Sequence, residues 1–105
     1  MVMNDTEKKQ VAKLLTDAVD GKISEPDFWV EMERSFRTFD DPLVALAFEE
    51  AHHFWGNFHE RNLFLIKTRP DPLQLSQGKE TLRTLARAIQ EGWSVEKTEE
   101  ALRRI

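Results

Sequence analysis

The sequence predicts an all-α fold, a single-domain bundle of about five helices that are mostly antiparallel. Apolar side chains recur every three to four residues along most of the chain, the spacing that places them on one face of a helix. Glycine, proline and short polar residues separate these stretches at positions where helices end and begin. The 105 residues, of which 40% are hydrophobic and 32% charged, suit one globular domain covering residues 1–105.

The first predicted helix runs from about Thr6 to Asp20. Asn4 and Glu7 have the spacing of a capping box, in which each side chain accepts a hydrogen bond from the other residue's backbone N–H. Gly21 stands where a helix commonly ends with a residue in the left-handed conformation. The apolar stripe of this helix comprises Val11, Leu14, Leu15 and Ala18.

The second predicted helix begins after Ser24, which is a favourable N-cap. Ile23 before the cap and Phe28 after it form a candidate hydrophobic staple. Trp29 and Val30 lie off the apolar face, so we expect a second neighbouring element to cover them; the alternative is that Trp29 is an exposed anchor. The apolar face comprises Phe28, Met32, Ser35, Phe36 and Phe39.

Asp41 as N-cap and Pro42 at the first helical position predict a third helix that extends to about Arg61. Gly56 within this helix is expected to mark a close helix crossing or a bend. Its apolar side comprises Val44, Ala47, Phe48, Ala51, Phe54, Trp55 and Phe58. Its polar side comprises Glu49, Glu50, His52, His53, Asn57 and Glu60.

The chain after the third helix contains the only predicted loop. The apolar segment Leu63 to Ile66 fits either a continued helix or a short extended segment, because four residues do not define a period. The two prolines of Arg69 to Pro72 predict that these four residues are not helical.

A fourth helix is expected from about Ser76 to Glu91, and a fifth from Val95 to about Arg104. Gly92 ends the fourth helix and Ser94 caps the fifth. The side chains expected to face inward are Leu82, Leu85, Ala86 and Ile89 on the fourth helix and Val95, Thr98, Ala101, Leu102 and Ile105 at the end of the chain.

Two Glu-x-x-His steps, Glu49 with His52 and Glu50 with His53, form the most prominent metal-ligand pattern. In di-iron helical bundles such a step supplies two ligands from one helix, but the site requires a second step on another helix. All three histidines of this chain fall on the third predicted helix, so the second step is absent. We interpret the polar stripe as the solvent-facing side of an amphipathic helix and expect no metal and no cofactor. A metal-dependent enzyme that uses Glu49, His52 and His53 is the third functional hypothesis.

Other catalytic patterns are missing from the sequence. There is no cysteine, no serine in a Gly-x-Ser-x-Gly elbow and no glycine-rich phosphate loop, so we expect no enzymatic activity. The turn from Ala88 to Ser94 resembles that of a helix-turn-helix motif. The helix after it carries Glu96, Glu99 and Glu100, which would repel phosphates, so we expect no nucleic-acid binding.

The negative charge is concentrated in one part of the chain. The formal net charge is -4, but the segment from Asp17 to Glu50 holds ten acidic and three basic residues, a charge of -7. Such a segment repels nucleic acid and attracts a basic protein surface. The first ten residues lack the apolar run of a secretory signal, and no apolar run approaches the roughly 18 residues that span a bilayer. We therefore expect a cytoplasmic location without membrane association.

Leu14-Leu15 and the segment DGKISEPDF (Asp20 to Phe28) are similar to the opening of colicin D-type immunity proteins. That opening has an amphipathic helix, a Gly-x-Ile-Ser-like turn and a phenylalanine on the next helix. The resemblance covers roughly residues 11–40, and the helix that begins at Val95 lies outside it. The resemblance implies a small helical bundle that binds and blocks a cognate bacterial toxin, often an RNA-cleaving nuclease.

The leading hypothesis is an immunity-like inhibitor whose acidic side chains occupy the basic active-site cleft of a toxin nuclease and exclude RNA. Charge selects the candidate partner-binding residues, because no family motif identifies them. They are Asp20, Glu25, Asp27, Glu31, Asp40 and Asp41, together with Trp29 as an apolar anchor. The alternative is a helical interaction or regulatory module of unknown partner without catalytic activity, or a homodimer through Trp29 or the segment Leu63 to Ile66.

Overall fold

The computed structural model describes the backbone of residues 4–36, 41–63 and 72–105 and the side chains of residues 4–34, 41–56 and 75–105. Within these residues the chain forms five helices and no strand, which confirms the predicted all-α fold. The helices are α1 (Asp5–Val19), α2 (Glu25–Phe36), α3 (Pro42–Leu63), α4 (Pro72–Glu91) and α5 (Val95–Arg103).

Local hydrogen bonds define both ends of α1. Asn4 Oδ1 accepts from the Glu7 backbone N–H at 2.8 Å, and Glu7 Oε1 accepts from the Asn4 backbone N–H at 3.1 Å, so the predicted capping box is present. At the other end Gly21 has a φ of 70°, and the Lys22 N–H donates to the Asp17 carbonyl at 2.8 Å. This is a Schellman motif, which requires a positive φ and therefore favours glycine.

The turn between α4 and α5 repeats this geometry. Gly92 has a φ of 73°, and the Trp93 N–H donates to the Ala88 carbonyl at 2.9 Å. Two residues later Ser94 Oγ accepts from the Lys97 N–H at 3.2 Å and caps α5. The predicted stop at Gly92 and the predicted cap at Ser94 are both confirmed.

The starts of α2 and α3 are capped by the predicted residues. Ser24 Oγ accepts from the Asp27 backbone N–H at 3.3 Å. Asp41 Oδ1 accepts from the N–H groups of Leu43 at 2.8 Å and Val44 at 3.4 Å. Each cap satisfies N–H groups of a first helical turn, which have no partner within the helix.

The start of α4 differs from the prediction. α4 begins at Pro72, four residues before the expected start at Ser76, so the prediction of a non-helical Pro72 is wrong. A proline is tolerated in the first helical turn because its missing N–H would have no partner there. Residues 69–71 lie outside the described residues. α3 continues through Leu63, so this residue takes the helical option, while residues 64–66 lie outside the description.

α4 is the central helix of the bundle and packs against α1, α3 and α5, most extensively against α1. Lys8 near the start of α1 lines a groove with Gly92 at the end of α4, so α1 and α4 are antiparallel. Gln77 near the start of α4 donates from Nε2 to the carbonyl oxygen of Ile105, so α4 and α5 are also antiparallel. The predicted antiparallel arrangement is confirmed for these pairs.

The core contains the apolar stripes that periodicity predicts. All described members of these stripes on α1 and α4 are buried or half-buried. Thr98 of α5 is also fully buried, and its hydroxyl donates to the Ser94 carbonyl at 2.8 Å. The predicted core side chains of Ser35, Phe36, Phe39 and Phe58 lie outside the described residues. The largest fully buried apolar side chains are Phe28, Leu15, Met32, Leu82, Leu85 and Val11.

The glycine at a close helix approach is not the predicted one. A Cβ added to Gly56 would meet nothing within 4 Å, which contradicts the close-crossing alternative, while the bend alternative stays a prediction. A Cβ added to Gly78 of α4 would lie 3.1 Å from Phe54 Cδ2 of α3. Gly78 therefore admits the Phe54 ring between these two helices.

None of the described helices has the combination of length and apolar character that a bilayer-spanning helix requires.

Candidate functional site

The exposed face of α2 combines acidic side chains with one apolar side chain. Asp27, Val30 and Glu31 are spaced i, i+3 and i+4, so they form one stripe along the helix. Phe28 and Met32 on the opposite side are fully buried, and they orient the stripe toward solvent. Val30 is 57% exposed and is the one large hydrophobic residue classed as exposed in the part of the chain that the structure describes.

The expectation that a neighbouring element covers Val30 is therefore wrong. α2 packs against α1, and its described ring contacts with α3 are made by Trp29. Val30 lies on the remaining side of α2, and no described element covers that side.

The two carboxylates beside Val30 are available to a partner. Both Asp27 and Glu31 are exposed, and neither side chain makes a hydrogen bond or an ion pair within the described residues. Arg34 continues the same stripe one turn later and offsets part of the charge, while exposed Glu33 lies at its edge. This group of Asp27, Val30 and Glu31 is called the α2 face below.

Trp29 is half-buried at the junction of α2 and α3. Its indole stacks on the His52 imidazole with ring centroids 4.1 Å apart and an interplanar angle of 21°. Phe48 lies 6.2 Å away in a second stacked arrangement, and Phe28 contacts the ring edge-on at 5.0 Å. The Trp29 Nε1–H donates to Glu25 Oε2 at 3.3 Å. As expected for Trp29, a neighbouring helix covers part of this side chain.

The other predicted binding residues lie apart from the α2 face. Asp20 Oδ1 forms an ion pair with Arg83 Nη2 at 3.5 Å and thereby joins the end of α1 to α4. Asp41 caps α3 through two backbone hydrogen bonds. Glu25 points toward Trp29 on the α3 side of α2. Asp40 lies outside the described residues. The structure therefore brings together Asp27 and Glu31 from the predicted set.

The Glu-x-x-His residues of α3 do not form a metal-ligand cluster. Glu49, His52 and His53 are exposed, and the shortest described acid–imidazole approach joins Glu50 Oε2 to His53 Nδ1 at 4.0 Å. Across residues 4–34, 41–56 and 75–105 no three acidic or histidine side chains converge in a way that could hold an ion. The side chains of His59 and Glu60 lie outside these ranges.

Sequence reasoning missed two features of this region. The stacking of Trp29 on His52 joins two helices, and no local pattern indicates which residue of α3 stands opposite Trp29. The exposure of Val30 was predictable from the sequence, because its i, i+3 and i+4 spacing with Asp27 and Glu31 places it on a polar stripe.

A comparison with protein-family models, curated proteins and solved structures finds no match to this chain.

Proposed function

We propose that this chain binds a protein partner through the α2 face, and that the partner is a bacterial toxin nuclease whose basic RNA-binding cleft the chain covers. The observation that carries the proposal is the Val30 side chain, 57% exposed between two carboxylates that have no partner within the described residues. Isolated apolar residues are common on surfaces. The two carboxylates beside Val30 outnumber the one cation of the stripe, Arg34, and this net negative charge suits a basic partner.

The two kinds of side chain have different roles in this proposal. Asp27 and Glu31 attract a basic surface over a distance and so raise the association rate and select the partner. Val30 supplies the apolar contact at the centre, where partner and chain exclude water from the surrounding ion pairs. A basic cleft that holds RNA phosphates is complementary to carboxylates one helical turn apart.

The resemblance to colicin D-type immunity proteins supports the class of partner. It covers roughly residues 11–40, a range that contains the whole α2 face. The small all-α bundle agrees with the architecture that the resemblance implies. Covering the cleft would exclude RNA by charge and by volume, so inhibition needs no catalytic group from this chain.

The test compares two charge-reversed variants of the intact chain. Asp27→Lys with Glu31→Lys changes the α2 face, and Asp5→Lys with Glu80→Lys makes the same change in net charge at exposed positions on α1 and α4. Each protein is immobilised, exposed to a lysate of the source cells at low salt, washed, and eluted with about 1 M salt, where the Debye length is about 3 Å. Eluates are assayed for cleavage of labelled RNA, with and without added wild-type chain.

We expect RNA-cleaving activity in the eluates from the wild type and from the Asp5/Glu80 variant, and its suppression by added wild-type chain. The Asp27/Glu31 variant should retain at least tenfold less of this activity. Equal retention by all three proteins would overturn the role of the α2 face. If the immobilised chain retains a protein and the eluate does not cleave RNA, the proposal of a nuclease partner is overturned.

A further inference from the structure

A second surface of the molecule combines an indole with cationic side chains. Trp93, in the turn between α4 and α5, is half-buried and lines two open grooves. One groove also contains Lys8 together with Asp41, whose carboxylate caps α3, and the other contains Lys97 together with the ion pair of Glu100 and Arg104. We call the residues Lys8, Trp93 and Lys97 and the grooves between them the Trp93 surface.

The two lysines lack acidic partners within the described residues. Nearby arginines are paired, since Arg87 Nε lies 2.8 Å from Glu91 Oε2 and Arg104 Nη2 lies 2.8 Å from Glu100 Oε1. Lys97 Nζ instead lies 4.3 Å from the centroid of the Trp93 ring, a cation–π contact. The Trp93 surface thus holds two cations that can accept carboxylates without breaking an existing ion pair.

The grooves beside Trp93 are suited to side chains of another protein. Their volumes are about 290 and 310 Å³, at the lower limit of the roughly 300–1,000 Å³ of small-molecule pockets, and both are open to solvent. The Lys8 groove is lined largely by apolar groups, among them Leu43 and Val95. Tryptophan is also one of the residues enriched at the energetic centres of protein interfaces.

From these observations we propose that the Trp93 surface is a docking site for the α2 face of a second copy of this chain. The α2 face presents an apolar side chain, Val30, beside two carboxylates that have no partner among the residues described. The Trp93 surface presents partly apolar grooves, an indole and two lysines without an acidic partner in the described part of the chain. The carboxylates of one surface can pair with the lysines of the other, and each surface contributes an apolar group to the contact.

The contact joins different surfaces of the two copies, so it is heterologous. Such contacts add further copies head to tail unless the rotation between copies closes a ring. Self-association by this route also covers the α2 face, so it competes with the partner of the proposed function. The competition depends on that proposed function, whereas the self-association does not.

The test uses sedimentation velocity of the purified intact chain over a wide concentration range, at about 0.01 M and about 1 M salt. Screening extends over about 30 Å in the first buffer and about 3 Å in the second. The variants are Asp27→Lys with Glu31→Lys on the α2 face, Lys8→Glu with Lys97→Glu on the Trp93 surface, and Val30→Asp for the apolar contact. Lys9→Glu with Lys13→Glu, exposed on α1, is the matched control for the lysine reversal.

We expect the average mass of the wild type and the Lys9/Lys13 control to rise with concentration at low salt and to fall toward the monomer at high salt. Each of the other three variants should remain monomeric. An equimolar mixture of the Asp27/Glu31 and Lys8/Lys97 variants should associate again, because each supplies one unaltered surface to the other. This recovery also shows that both variants are folded.

A wild type that stays monomeric at low salt, or a mixture that fails to associate, would overturn the proposal. If the wild type stays monomeric but captures a partner protein that the Lys8/Lys97 variant does not capture, the Trp93 surface binds a different protein. This result would also overturn self-association. If the proposed function fails, the sedimentation results still decide the self-association, because they need no partner.

Discussion

The Trp29 indole of α2 stacks on the His52 imidazole of α3 with 4.1 Å between the ring centroids. This contact joins two helices whose other described contacts are few, and it holds the helix that carries the α2 face. The orientation of the candidate binding surface therefore depends on an aromatic pair that lies beside it.

We expect the Trp29–His52 pair to contribute measurably to stability. Trp29→Ala should lower the free energy of unfolding by about 2 kcal/mol through lost apolar burial, and His52→Ala by about 1 kcal/mol. A double-mutant cycle measured by urea unfolding should give a coupling energy of about 0.5–1.5 kcal/mol. His53→Ala, at the next exposed position of α3, is the control and should change stability by less than about 0.5 kcal/mol. A coupling energy near zero would contradict the stacking contact.

Asp41 is expected to stabilise the start of α3 through hydrogen bonding and not through its charge. Asp41→Ala removes the oxygen that accepts from Leu43 and Val44 and should cost about 1 kcal/mol in thermal or urea unfolding. Asp41→Asn keeps an accepting oxygen and should leave stability nearly unchanged. Because Asp41→Asn keeps the helix cap, any change in partner capture by this variant results from loss of the Asp41 charge. Equal destabilisation by both substitutions would contradict the capping role.

The two glycines at the middle of α3 and the end of α4 should respond oppositely to alanine. Gly56→Ala fills open space within a helix and should raise the free energy of unfolding by about 1 kcal/mol. Gly92→Ala forces a side chain into a φ of 73° and should lower it by about 1 kcal/mol. Both are read from urea unfolding midpoints. A loss of stability in the Gly56 variant would show that α3 needs a glycine at that position.

Shortening a buried side chain of α4, the central helix, should lower the free energy of unfolding strongly. Leu85 of α4 is fully buried, so Leu85→Ala leaves a cavity and should cost about 2–5 kcal/mol. A small domain has roughly 5–15 kcal/mol of total stability, so a substantial fraction would be lost. Gln90→Ala, exposed on the same helix, should stay within about 0.5 kcal/mol. Similar unfolding midpoints for the two variants would contradict the central position of α4.

The helix boundaries were largely predictable because their determinants are local. The capping box of Asn4 and Glu7 and the stops at Gly21 and Gly92 act over three to five residues of chain. The start of α4 was predicted too late because Pro72 was treated as a helix breaker, whereas a proline at the first helical position breaks no hydrogen bond.

The candidate site was predictable only in part. Charge selected six residues, and of these Asp27 and Glu31 share an exposed stripe, while Asp20 and Asp41 make contacts within the molecule. Asp41 has the sequence signature of an N-cap, which the structure confirms, whereas no local pattern indicates that Asp20 pairs with Arg83. Which side of α2 stays uncovered depends on where α1 and α3 lie, and no local pattern encodes that.

By itself the sequence determined the fold class, most helix ends and the inward-facing stripes of α1 and α4, because periodicity and capping act within one helical turn or two. Only the tertiary structure decided that Trp29 meets His52, that Val30 remains exposed, and that Trp93 lies between the grooves of Lys8 and Lys97. Each of these depends on how separate helices pack against one another, and the energy of such contacts arises only when residues distant in the chain meet.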